Sequence, residues 1–117
     1  MYNKQGKVAG KELSPDLFGE IKHALAITWS DEDREIKKLA AKSVYAINEL
    51  VGTEIDLEIN MSARELVIER CRYAYNNAVD EFEKNFQAEL SRLILRVAIE
   101  ERKRAEDGNR TVPKDVY

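Results

Sequence analysis

The polar and apolar positions of this chain fall into four helical stretches joined by short polar segments. Ser14-Pro15-Asp16 is a helix start, with a capping hydroxyl, a proline where no N–H is needed and an acid that complements the dipole. Leu17, Ile21, Ala24 and Leu25 follow at helical spacing, so a first helix is expected over about 15–27. Ser30 then precedes Asp31, Glu32 and Asp33, and Ile36, Leu39, Ala40, Val44, Ile47 and Leu50 form one stripe. A second helix is expected over about 31–51, stopped by Gly52 in the left-handed conformation. Ser62-Ala63-Arg64-Glu65 reads as a capping box for a third helix through Val67, Cys71, Ala74, Ala78 and Phe82. Asn85 opens a fourth, with Phe86, Leu90, Leu93 and Val97 on its core face, and Gly108 ends it.

Three stretches stand outside this pattern. Residues 1–13 have no period and are read as a flexible arm. Residues 109–117, with Pro113, are read as an irregular tail. Residues 53–60 alternate polar and apolar, with Ile55, Leu57 and Ile59 on one side. No second strand is available within the chain, and an isolated strand is not viable. The segment is therefore an extended loop packed on the helices or a strand paired with a neighbouring subunit, and the loop is favoured. The expectation is an all-α domain of four helices over residues 14–108, with an arm at one end and a tail at the other.

Composition agrees. Of 117 residues, 35% are charged and only 5 are Gly and 2 Pro, which disfavours a β-sandwich with its frequent turns. The net charge of −3 is unevenly placed. Residues 1–13 carry three Lys against one Glu, and residues 92–117 carry seven basic against five acidic groups. Residues 14–60 carry five basic against ten acidic groups. Basic ends and an acidic middle fit a chain that meets partners through its ends, or a plain scatter of solvated charge.

Candidate chemistry is sparse. One Cys excludes an intrachain disulfide and a cysteine zinc site, and one His excludes paired-His metal motifs. No apolar run approaches the ~20 residues of a membrane span, and residues 1–13 lack an apolar export segment, so a reducing cytoplasm is the expected place of synthesis. His23 is read as a surface or boundary residue, and Cys71, on an apolar stripe, as a small buried hydrophobe. Asp31, Glu32, Asp33 and Glu35 lack the spacing of a calcium loop and are read as helix N-terminal acids. Arg92, Arg96 and Lys103 share a helix face that would suit phosphate, but interleaved acids offset it. Tyr73, Tyr75, Phe82 and Phe86 cannot all lie on one stripe, so some pack between helices and others suit a subunit contact. Trp29 is read as a packing anchor between the first two helices.

Two stretches carry a resemblance. They are LFGEIKHALAI followed by SDEDREIKKLAAKSVYAINELVG, and ARELVIERCRYAYNNAVDEFEKNFQAELSRLILRVA, within which RYAYNNAVDEFEKNF is the most specific. Over roughly Leu17 to Arg102 the chain resembles the head–tail connector, or head-completion adaptor, family of long-tailed bacteriophages and prophages. The resemblance implies a structural virion protein with no enzymatic activity and no cofactor or metal. It implies a homo-oligomeric ring, typically a dodecamer, made in the bacterial host cytoplasm. The ring docks beneath the portal protein, extends the DNA channel and receives a stopper or tail-completion protein, with no membrane contact. It places portal binding at Arg102, Lys103 and Arg104 and at the tail residues Val112, Val116 and Tyr117. Alongside it, the acidic Glu54, Asp56 and Glu58 are expected to face the lumen or the next ring, where a basic wall would retain phosphates. Leu57, Ile59, Tyr75 and Phe86 are expected at subunit contacts. The rival readings are a DNA-binding or regulatory helical module using the Arg92, Arg96 and Lys103 face, a small partner-binding bundle, and an enzyme.

Overall fold

A computed structural model describes residues 13–114, with side chains described as far as Asp107. It contains helices α1 (Pro15–Ala24), α2 (Asp33–Val51), α3 (Met61–Tyr75), α4 (Val79–Asn85) and α5 (Gln87–Lys114), and no strand among the described residues. The all-α class is as expected, but the described residues form five helices rather than four.

The extra helix comes from a break at Asn76-Asn77-Ala78, inside the stretch read as one helix. Asn77 takes φ 57°, and Ala78 N–H donates to the Tyr73 carbonyl at 2.8 Å while Asn77 N–H donates to that of Ala74 at 3.0 Å. This 6→1 and 5→2 pair is a Schellman cap. Asparagine tolerates the left-handed region, so Asn76-Asn77 is a stop signal rather than a weak spot in a helix.

The same device ends α1 before the expected boundary at residue 27. Ala26 takes φ 60°, with Ile27 N–H donating to the Lys22 carbonyl and Ala26 N–H to that of His23, both at 3.0 Å. Ile27 is then turned into the core, at 4% exposure. Gly52 closes α2 at φ 82°, as its position predicts. At the starts, the Ser14 hydroxyl accepts from Leu17 N–H at 3.1 Å, as expected. Ser30 does not cap α2, which begins at Asp33 without a side-chain cap. The expected box at Ser62–Glu65 lies inside α3, and the Asn60 side chain caps it instead by accepting from Ala63 N–H at 3.0 Å.

The core is one cluster. Leu17 and Ile21 of α1, Ile36, Ala40, Val44 and Ile47 of α2, and Ala63, Val67 and Cys71 of α3 meet in its centre. Phe82 of α4 and Leu90, Leu93 and Val97 of α5 close it. The α2–α3 pair is the spine of this packing.

Val97 is the last core residue of α5. The helix has 28 residues, so at 1.5 Å per residue it is about 42 Å long, and its second half leaves the body with residues 98–107 exposed. Helical backbone continues through Gly108 to Lys114, so Gly108 is not a stop and residues 109–114 are not irregular as expected. A mid-helix glycine costs only about 1 kcal/mol, too little to end a helix already propagating. The molecule is accordingly elongated, 61 × 31 × 20 Å. No helix among the described residues is long and apolar enough to cross a membrane.

Candidate functional site

The 53–60 loop carries the most organised surface. Ile55 and Leu57 are half-buried against the core, as the favoured reading expects, while Glu54, Asp56 and Glu58 alternate with them and are exposed. Ile55 N–H donates to Asn48 Oδ1 at 3.0 Å, and Glu58 N–H to Asp56 Oδ1 at 3.0 Å. The loop roofs a groove of about 210 Å³ that Leu13, Leu17, Val44, Ile55 and Leu57 line with apolar surface. Glu54, Asp56 and Glu58 stand on the rim of that groove.

Arg64 fixes the loop from below. It is buried at 5% exposure, on the inner face of α3. Its Nε donates to Glu20 Oε1 at 3.0 Å, and its Nη1 reaches the Leu57 carbonyl at 3.2 Å and Glu58 Oε2 at 3.4 Å. One guanidinium thus joins α1, α3 and the loop. Its hydrogen bond holds the Glu20 carboxyl below the ordinary carboxylate range. Sequence reasoning assigned Arg64 to a capping box and missed this role. Its spacing from Val67 and Ile68 placed it beside the apolar stripe, but composition alone cannot tell a buried Arg from a solvated one.

The residues expected at subunit contacts divide. Ile59 is 76% exposed and available to a neighbour. Leu57 is engaged with the core. Tyr75 Oη donates to Glu32 Oε1 at 2.9 Å, tying the end of α3 to the start of α2. Phe86 belongs to an internal aromatic cluster, stacked on Phe82 at 5.1 Å and edge-on to Tyr73 at 5.9 Å. Both aromatics therefore already have partners within the chain.

The acids at the start of α2 bind neighbours rather than solvent alone. Glu32 also accepts from Trp29 Nε1 at 2.8 Å, and Asp33 pairs with Lys22 at 2.7 Å. Trp29 is not the anchor expected of it. It is 48% exposed and holds the α1–α2 junction by polar contacts, its carbonyl accepting from Lys22 Nζ at 2.6 Å. His23 is exposed, and Cys71 is buried, its thiol pushed up to about 11 by desolvation. Among the described residues no group of His, Cys, Asp and Glu is arranged to hold a metal ion.

On α5, Arg102, Lys103 and Arg104 are exposed beyond the body, and Arg104 pairs with Glu101 at 2.8 Å. Of the expected tail residues, Val112 lies in the helical backbone of α5, while Val116 and Tyr117 are outside the described residues. Arg92, Arg96 and Lys103 are all exposed and lie along one side of α5, as their spacing predicts. Arg92 and Arg96 also line a groove against α3 with Glu65, Glu69 and Glu89, and Arg96 Nη1 donates to Ser62 Oγ at 3.3 Å. Leu95 and Ile99, 63% and 50% exposed, lie on the side of α5 away from the core. No protein-family model, curated protein or solved structure matches this chain.

Proposed function

We propose that this chain is a structural subunit of a bacteriophage head–tail connector. On this reading copies form a ring beneath the portal, extend the DNA channel and present a surface to the next stopper or tail-completion protein. The observation that carries it is the two-faced α5. Leu90, Leu93 and Val97 fill the core of the chain, while Leu95 and Ile99 point the opposite way into solvent, on a helix that runs on past the body. At 100° per residue the two sets are roughly half a turn apart. A helix with a second apolar face is suited to burial against another chain. Its exposed end carries Arg102, Lys103 and Arg104, three of the residues the resemblance assigns to the portal.

The acidic rim at Glu54, Asp56 and Glu58 suits a position facing the channel or the next ring, because it repels phosphate. The rival DNA-binding reading is disfavoured by charge: Arg92 and Arg96 share their groove with Glu65, Glu69 and Glu89, which reduces the positive field a duplex would meet.

The direct test is co-sedimentation of the full chain with portal rings, followed by negative-stain imaging. Added ring density at the portal's tail-side face is expected, with loss of binding when residues 109–117 are removed and helicity is retained. No association of the full chain with a portal ring from its own phage or prophage would overturn the reading.

A further inference from the structure

The groove under the 53–60 loop has a matching occupant in the chain's own sequence. We propose that in the free subunit the basic N-terminal segment, residues 1–12, lies across this groove, with its lysines against the acidic rim and an apolar side chain on the floor.

The groove defines its guest. Its volume of about 210 Å³ is below the roughly 300–1,000 Å³ of small-molecule pockets and accommodates one or two side chains. The floor is apolar, with Leu17 and Val44 buried and Leu13, Ile55 and Leu57 half-buried beside them. The rim carries three exposed carboxylates, of which Glu58 is shared with Arg64 at 3.4 Å, leaving Glu54 and Asp56 to set its charge. The site therefore selects a short basic segment with one or two apolar residues.

Residues 1–12 meet that description. They hold Lys4, Lys7 and Lys11 against Glu12 alone, with Met1, Tyr2 and Val8 as the larger apolar side chains. The segment is delivered to the site, because Leu13, the residue that follows it, is a wall of the groove. At up to ~3.3 Å per residue, twelve residues can cross it and return, and Gly10 permits the reversal. Tethering at this distance gives an effective concentration on the order of millimolar, enough to populate a contact of a few screened ion pairs and one buried side chain. A separate copy at micromolar concentration competes poorly against it.

The inference does not depend on the connector reading, since it concerns the subunit alone.

A nitroxide on Lys4→Cys tests this in the full chain, because the buried Cys71 is not labelled. Methyl signals of Leu17, Val44, Ile55 and Leu57 should broaden at low salt, at any protein concentration. Broadening should fade in 0.5 M salt, where the screening length is about 4 Å, and in the Glu54→Lys, Asp56→Lys background. Adding Lys7→Glu and Lys11→Glu to that background should restore it. Three results would overturn the proposal: groove methyls unaffected by the label at low salt, broadening insensitive to charge reversal, or broadening seen only between differently labelled copies. The last would make a second copy the occupant.

Discussion

Ala26 and Gly52 both end helices in the left-handed region, at φ 60° and φ 82°, yet only one has the residue that region favours. For alanine the conformation costs roughly 1–2 kcal/mol, and replacing it with glycine returns part of that as unfolded-state entropy. Ala26→Gly should therefore stabilise the chain by about 0.5 kcal/mol. Gly52→Ala should destabilise it by about 1 kcal/mol, because a Cβ at φ 82° adds strain and gains no contact in return. Urea denaturation of both variants checks the pair, and a loss of stability in Ala26→Gly would refute the strain argument. The glycine was legible because its backbone preference is its own. The alanine was not, because Ala26 is held by the burial of Ile27 and not by any preference of alanine.

Elements are joined here by side chains whose roles depend on distant partners. Arg64 is the main case, meeting Glu20, 44 residues before it, and the 53–60 loop. Arg64→Ala removes the only side chain holding the Leu57 carbonyl among the described contacts and should cost on the order of 2 kcal/mol. Glu20 gives this contact a pH signature. Its folded pKa lies below its ordinary value of 4.5, so the folded state binds its proton less readily than the unfolded chain. Its contribution is therefore complete above the ordinary carboxylate range and is lost as pH falls through the lowered folded value. Chemical denaturation from pH 6 to pH 3 should show a smaller acid loss for Glu20→Gln than for the wild type. Identical profiles would show that the Glu20–Arg64 bond contributes nothing. The helices themselves were legible from their apolar stripes. The α3–α4 break was partly written in Asn76-Asn77, whereas the Asn60 cap was masked by a more familiar pattern two residues on.

For the whole molecule, the question is what the free half of α5 meets. Leu95→Asp with Ile99→Asp alters only exposed positions, so stability of the isolated chain should change by no more than about 0.5 kcal/mol. The same pair should abolish assembly on portal rings, read by co-sedimentation. Assembly at the wild-type level would remove the two-faced helix as the basis of the proposed ring. Leu93, at 2% exposure on the opposite side, separates the two faces: Leu93→Ala should cost about 2–5 kcal/mol of stability instead.

What the sequence determined by itself was local: the helical class, the Ser14 and Gly52 boundaries, the loop with its acids outward and the burial of Cys71. Each follows from periodicity or from a residue's intrinsic backbone preference, which act over one or two turns. The opening reading of four stripes and two tails could not place Arg64, the bond from Tyr75 to Glu32, or the run of α5 beyond Gly108. Those depend on which faces meet after the chain folds back on itself. Periodicity marks that a face is apolar, and only tertiary packing decides whether that face is spent on the chain's own core, as at Leu93, or left for another surface, as at Leu95.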